Sequence, residues 1–374
     1  MNHNNEYKKE LNLNEYQLFA RQLILPQIQI EGQKRLKKSK ILFIGAGGLA
    51  STALLYLGAS GIGQIGLVDS DIIEISNLHR QVIYNTFMLG KFKVSSAKNQ
   101  LQQINPECNI QTYKLQLTEL NSYKIIQPYD IVIDCTDNFK IRYIISDTCR
   151  ILHKIHVYGA IFEFEGQVSV FNYKGGPSYK DMSPVLKSNI VYRCDAGGVL
   201  GVIPGLIGIL QATETLKIIT GIKVSLSGYL LVYNAIKISF KNLLIKNSNH
   251  YLNLKFIKNS NNMSTYHAKT NFISINELQK IQTTNTEKVY LIDVRNTIEY
   301  QIKHLNTAVN IPLKKLKKIN NIQKLRKATV GKKLIIYCNN QVRSQAASSI
   351  LIKADIRHSL IFNFFFLFFF ISDY

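Results

Sequence analysis

Gly45-Ala46-Gly47-Gly48-Leu49-Ala50 stands directly after the apolar run KILFI (40–44) and ahead of the helix-like STALLYLGASG. Glycines there carry no Cβ, so backbone N–H groups and a helix N-terminus can close on a phosphate. Asp69 ends the next apolar run, 24 residues after Gly45, where a carboxylate accepts hydrogen bonds from ribose hydroxyls. A glycine loop followed by an acid is a generic nucleotide signal, and its bland counterpart is a tight turn with no ligand. The residues that follow separate the nucleotides. Arg80 in SNLHRQ (76–81) and Lys93 in GKFKVSSAK suit the charge of a triphosphate, which nicotinamide chemistry has no need to neutralise. IVIDCTDN (131–138) then puts Asp134 and Asp137 at the C-terminal end of a strand. Open α/β sheets bind ligands there, and a carboxylate beside phosphates is the usual holder of Mg²⁺. Taken singly, Arg80 and Lys93 also read as surface charges and Asp134 as a helix cap.

A second chemistry is written in cysteine. Cys338 ends the buried run LIIY and opens Cys338-Asn339-Asn340-Gln341-Val342-Arg343-Ser344 ahead of a helix. Backbone amides wrapped around a cysteine at a helix N-terminus stabilise a thiolate or a persulfide. Cys194 lies in Tyr192-Arg193-Cys194-Asp195-Ala196-Gly197-Gly198; Arg193 and the helix start beyond it favour thiolate, for a nucleophile or disulfide partner, against the plainer reading of an ordinary loop cysteine. Cys108, Cys135 and Cys149 have no partner pattern and read as buried and inert. His153 and His156 flank a strand with no nearby cysteine or carboxylate motif and read as structural.

These residues need elements to hold them. A helix over LNEYQLFARQLIL (13–25) would put Leu18, Arg21, Gln22 and Leu25 on one face. Strand-like runs follow at 40–44, 65–69, 129–134, 156–160 and 166–171, with helix-like stretches between the first of them. That is the βαβ pattern of a mostly parallel, Rossmann-like sheet. A polar stretch over 174–193 leads to a long apolar helix that Gly221 should stop. Residues 246–270, rich in Asn, Lys and Ser, read as a linker between one domain over 10–245 and a smaller α/β domain over 271–374. The second domain alternates again: FISINELQKI, VYLIDVR, LIIYC and the helix QVRSQAASSILIKA.

ARQLIL, GAGGLA, LVDSDIIEISNLHRQ, GKFKV, INPE and DCTDN occur in that order and at family spacing. Over roughly residues 10–240 the chain resembles the MoeB/ThiF branch of the ubiquitin-activating-enzyme family. The resemblance implies ATP-dependent adenylation of the C-terminal Gly-Gly carboxylate of a ubiquitin-like sulfur carrier. It implies Gly45, Gly47 and Gly48 near the phosphates, Asp69 on ribose, and Asn77, Arg80 and Lys93 on the phosphates. It further implies Asp137 on Mg²⁺ and a homodimer in which Arg21 reaches the other subunit's site. Ala50 departs from the glycine common at the end of the loop. Family members also hold a structural zinc with two Cys-x-x-Cys pairs; here Ser178-Tyr179-Lys180-Asp181 stands at the first pair and no pair follows residue 240, so no zinc is expected. Cys194 matches the family's crossover-loop cysteine.

Leu291-Ile292-Asp293-Val294-Arg295, Glu299-Tyr300, His304-Leu305, Ala308 and Asn310-Ile311-Pro312, with the Cys338 loop, resemble a rhodanese domain over about 272–358. Four residues lie between Cys338 and Arg343; related phosphatase-like domains use five, so sulfur is favoured over phosphate. The end FNFFFLFFFISDY, with no Trp in the chain, departs from the family's Gly-Gly strand and reads as an altered or frame-shifted terminus. The fusion implies an adenylyltransferase joined to a sulfurtransferase, fed by a sulfur donor such as a cysteine desulfurase. Its products would serve molybdopterin (molybdenum cofactor) synthesis, thiazole synthesis or tRNA thiolation.

Composition bounds the rest. The 374 residues suit two domains, and 46% hydrophobic with 19% charged residues excludes wholesale disorder. No uninterrupted run reaches the roughly 18 apolar residues of a membrane span, and MNHNNEYKKE lacks a signal-peptide core. Five scattered cysteines suit a reducing compartment, cytoplasm or plastid stroma. Residues 271–374 hold 16 basic and 6 acidic residues, close to half of the +22 net charge. The excess is therefore spread along the chain, and no nucleic-acid motif accompanies it. An NAD-dependent oxidoreductase and a non-catalytic docking protein are the alternatives.

Overall fold

Strand order explains where a ligand can sit. The computed structural model divides into two units, Met1–Leu254 and Lys255–Tyr374. It describes residues 11–183, 198–246, 271–274, 277–278, 281, 289–302, 304–316, 319–338 and 341–361. In the first unit the strands are β1 (Lys40–Ile44), β2 (Gln64–Val68), β3 (Asn109–Tyr113), β4 (Ile131–Asp134), β5 (Ile155–Phe162), β6 (Glu165–Phe171), β7 (Tyr229–Asn234) and β8 (Ser239–Leu244). They lie in the order β3-β2-β1-β4-β5-β6-β7-β8. The first five are parallel and the last four form an antiparallel meander. From β1 the chain runs outward through β2 and β3, then returns to place β4 on β1's other side. The crevice at the C-terminal ends of β1 and β4 is thus the topological switch point at which doubly wound sheets bind ligands.

Local chemistry supports each piece. The central strands are Ile-, Val- and Leu-rich and buried, as a sheet covered on both faces requires. The helix Val202–Thr220 ends at Gly221, whose φ of 86° is the left-handed cap the sequence anticipates. By length and hydropathy this helix could cross a membrane, but half of it is buried inside the unit. It packs along the helix Gly48–Ala59; a Cβ on Gly208 would lie 2.1 Å from the Leu49 carbonyl oxygen.

Two elements differ from the sequence expectation. The helix expected over 13–25 is broken into Leu13–Leu18, capped by Asn12 and Glu15, and Ala20–Leu23. The break falls at Phe19, whose buried ring fills the space beside Gly61, while Leu18 and Leu25 are exposed. The β7–β8 hairpin had no strand signal at β8, because Lys241 and Asn242 interrupt its apolar residues and the strand is largely exposed.

The second unit is a five-stranded parallel sheet ordered β11-β10-β12-β13-β9, with β9 (Asn271–Ile273), β10 (Val289–Asp293), β11 (Val309–Asn310), β12 (Lys333–Tyr337) and β13 (Ser359–Ile361). Its core joins Ile292, Leu334 and Ile336 of the sheet to Ala347 and Leu351 of the helix Gln341–Lys353. The expected linker beyond residue 246, the Phe-rich tail and Cys194 lie outside the described residues.

Candidate active site

Gly45 leaves β1 with φ +92°, and a Cβ on it would lie 2.8 Å from the Cys135 carbonyl oxygen. The loops after β1 and β4 therefore pack backbone to backbone, which only glycine permits. Gly48 begins the helix Gly48–Ala59; a Cβ there would meet Pro204 at 2.8 Å and the Arg80 carbonyl oxygen at 3.2 Å. Gly47 faces Gln81 Nε2, and Gly201 lies against the His79 carbonyl oxygen. Four segments distant in sequence converge on the switch point: the glycine loop, SNLHRQ, DCTDN and the start of the long helix.

Asp69 Oδ2 accepts the Ala46 N–H at 2.7 Å and Oδ1 accepts the Asp71 N–H at 2.8 Å. Burial pushes its pKa up, with Lys93 and these amides opposing. Each of its oxygens can accept a further donor, such as a ribose hydroxyl. Lys93 is only 6% exposed, and its Nζ is 2.9 Å from Asp71 Oδ2. No motif marks Asp71 in the sequence; its two-residue spacing from Asp69 is the signal that points to it. Tyr84 ties the region together by donating its hydroxyl to the Ala46 and Lys93 carbonyl oxygens.

The half-buried Arg80 donates Nη1 to the Ser76 carbonyl at 2.8 Å and lies 2.7 Å from His79 Nε2. Burial lowers its pKa, and the charge of Asp137 is the first influence raising it, so these two sequence candidates are electrostatic neighbours. Asn77 is buried and occupied locally, accepting the Glu74 N–H at 3.3 Å. Arg21 is exposed beside the exposed Leu18, Ile24 and Leu25; the single chain brings it to no second site.

Asp137 is exposed at the end of β4. Mg²⁺ bound with a nucleotide takes one or two carboxylates and completes its shell with phosphates and water. One free carboxylate near Arg80 fits a cation that arrives with a triphosphate. Among the described residues no cluster of three His, Cys, Asp or Glu gathers to hold a resident metal. Where the family's first cysteine pair would lie, Asp181 Oδ2 accepts both the N–H and the hydroxyl of Ser178, at 2.7 and 2.8 Å.

Asp134 is no helix cap. It is fully buried, its Oδ1 accepts the Thr136 N–H and hydroxyl at 3.0 and 2.7 Å, and its Oδ2 lies 3.2 Å from His156 Nε2. Burial would raise its pKa, but the His156 hydrogen bond, the Arg142 charge and Thr136 outweigh that and hold it below the usual carboxylate range. The reading of His156 as lacking a nearby carboxylate is corrected here: the partner comes from the neighbouring strand, across β4–β5 pairing that local sequence does not reveal.

In the second unit Cys338 is buried at the end of β12 and carries no disulfide. Arg343 grips Glu299 with Nη1–Oε2 at 2.6 Å and Nη2–Oε1 at 2.9 Å. Burial opposes the Arg343 charge, but Glu299 and then Cys338 more than offset it, so its pKa is raised. Asp293 and Arg295 form a second, fully enclosed pair at 2.7 Å. Asn310 Nδ2 bonds the carbonyls of both. Cys108, Cys135 and Cys149 are buried free thiols whose pKa values burial raises.

Comparison with known proteins agrees with both units. Residues 19–254 match the ThiF family model. The chain belongs to the ThiF family. Residues 274–364 of this ThiF family chain match the rhodanese-like domain model. It is 47% identical over 352 residues to a probable molybdopterin-synthase adenylyltransferase of Gracilaria tenuistipitata var. liui, covering 93% of this chain and 96% of that one. It is 34% identical over 359 residues to the adenylyltransferase and sulfurtransferase MOCS3 of Aedes aegypti, covering 90% and 82%. Among solved structures, E. coli MccB with MccA-N7isoASN superposes with a TM-score of 0.57 at 20% identity, over 65% of this chain and 75% of that one. SeMet PaaA gives 0.55 at 22% identity, over 66% and 78%. These two establish the shared fold.

Proposed function

We propose that this ThiF family enzyme adenylates the C-terminal carboxylate of a ubiquitin-like sulfur carrier with ATP and then delivers sulfur to it from its rhodanese-like domain. The observation that carries the reading is the convergence of the glycine loop, Arg80, Lys93 and Asp137 at one switch point in a chain that also holds Cys338 between a strand end and a helix N-terminus. The matched relatives, adenylyltransferases and sulfurtransferases by name, support it.

A carboxylate is a poor electrophile. Its oxygen attacks the α-phosphorus, the bond to the β-phosphate oxygen breaks, and acyl-adenylate and pyrophosphate form. Both partners are anionic, so Arg80 and Lys93 lower the repulsion and hold the leaving pyrophosphate. Lys93 exchanges Asp71 for phosphate oxygens, and Asp69 holds the ribose. Asp137 would hold Mg²⁺, which adds charge neutralisation when bound.

A persulfide on Cys338, loaded by a sulfur donor such as a cysteine desulfurase, attacks the acyl carbon and expels AMP. Cys194 thiolate then attacks Cys338 Sγ, releasing the thiocarboxylate and leaving a disulfide that an external thiol reduces. Joining the two units in one chain raises the effective concentration of persulfide near the adenylate. Exposed Leu18, Ile24 and Leu25 around Arg21 support a homodimer that shares Arg21 between sites. Molybdopterin synthesis is the pathway supported by the relatives' names, and the Lys-, Asn- and Ile-heavy composition supports a plastid or bacterial setting.

Mass spectrometry of a ubiquitin-like sulfur-carrier protein ending in Gly-Gly, incubated with the enzyme, ATP, Mg²⁺ and a sulfur donor, tests the reading. A thiocarboxylate shift of about +16 Da is expected from replacing oxygen by sulfur. ATP consumption without that shift would leave adenylation standing and reject sulfur transfer.

A further inference from the structure

Asp137 is exposed, yet the residues on both sides of it are fixed. Thr136 donates its N–H and hydroxyl to Asp134 Oδ1, and its carbonyl accepts Arg142 Nη2 at 2.7 Å. Asn138 Oδ1 accepts the Lys140 N–H at 2.9 Å and starts the helix Phe139–Ile151. Asp134 is therefore the anchor of the turn that presents Asp137. Its backbone carbonyl is held as well, by Gln211 Nε2 at 2.8 Å.

Asp134 Oδ2 lies 3.2 Å from His156 Nε2 on β5, and the Arg142 charge acts on the same carboxylate. A carboxylate only accepts, so the Nε2–H tautomer is the one that this contact requires. His156 is 1% exposed, with Phe171, Tyr158 and Tyr179 around its ring and Nδ1 buried without a hydrogen-bond partner. A histidine that only filled space would do so better as an apolar residue, since each buried polar atom left unpaired costs stability. What the ring provides here is one donor, aimed at one carboxylate, at the base of the candidate metal–phosphate loop.

We propose that His156 is a positioning residue for adenylation: through Asp134 and Thr136 it fixes the Asp137 loop in the geometry that receives Mg²⁺ and triphosphate. This rests on the reading of Asp137 given above. Outer partners of a metal ligand typically change metal affinity about 10–100-fold when removed.

Calorimetric titration of the full-length chain with the ATP analogue AMPCPP, in Mg²⁺ and in EDTA, tests it. His156→Leu should lose about tenfold of the Mg²⁺-dependent gain in affinity while its affinity in EDTA stays near wild type. His156→Gln, which keeps an N–H donor of similar reach, should retain most of the gain. A wild-type gain in the Leu variant, or a Gln variant as weak as Leu, overturns the proposal. If the Leu variant does not fold, Thr136→Val, which removes the hydroxyl donor to the same carboxylate, decides in its place: a wild-type gain there rejects the relay. Asp137→Asn separates the two readings. Retention of the gain in Asp137→Asn rejects Asp137 as the metal carboxylate; its loss there, with His156→Leu unaffected, rejects only the role of His156.

Discussion

The buried ammonium of Lys93 rests 2.9 Å from the Asp71 carboxylate, which is 64% exposed. A buried cation thus has its counter-ion on an exposed carboxylate. Lys93→Ala should slow carrier-dependent ATP–pyrophosphate exchange about 10²–10³-fold, the usual cost of losing one preorganised charge partner. Asp71→Asn should lower the thermal midpoint of the free chain, because a buried charge loses its partner. Saturating AMPCPP should narrow that gap, since phosphate oxygens replace the carboxylate. A gap unchanged by nucleotide in a thermal-shift measurement would reject this exchange.

The Gly45 contact with the Cys135 carbonyl makes a sharp demand on residue type. Gly45→Ala combines a positive φ with a Cβ at 2.8 Å from that oxygen. We expect it to cost about 1–3 kcal/mol in urea unfolding and to abolish AMPCPP binding. Gly90, also at positive φ but with open space around it, is the control and should keep binding when changed to alanine.

Cys338 is expected to divide the two chemistries. Cys338→Ser should leave pyrophosphate exchange within about twofold of wild type and eliminate the carrier thiocarboxylate in mass spectra. Cys108, whose thiol burial pushes up to about 12, should stay unlabelled by iodoacetamide at pH 8 until the chain is unfolded.

Acid stability should report the Arg343–Glu299 pair. Burial alone would raise the Glu299 pKa, but the two-point hydrogen bond from Arg343 outweighs it and holds it below its ordinary value. A depressed acid contributes stability that is fully present above its unfolded pKa, about 4.3, and is lost as pH falls through the folded value. The urea midpoint for unfolding of the second unit should therefore exceed that of Glu299→Gln near pH 6, and the difference should shrink toward about pH 3. A difference independent of pH would reject the pair as its source.

What the sequence made legible was whatever local spacing encodes. Gly45, Gly48 and Asp69 follow strands at intervals fixed by one βαβ unit, and Gly221 follows the last residue of a helix. The relationships it hid are those made by register and folding-back. His156 meets Asp134 only because β5 pairs with β4, and Lys93 meets Asp71 across a bend of 22 residues. Phe19, where the helix breaks, packs its ring beside Gly61, far along the chain. A polar edge strand such as β8 has no apolar alternation to announce it, since its pairing is supplied by β7.

The backbone contact between Gly45 and Cys135 joins positions 90 residues apart. Neither loop has its native shape until β1 and β4 lie side by side, so the crevice between them is absent from every partly assembled form of the unit. A nucleotide able to recognise only the finished crevice shifts the folding equilibrium by mass action. With ATP bound there as proposed, the nucleotide would be a ligand of the completed fold as well as a reactant, and the cell's nucleotide level would be part of what keeps this enzyme folded.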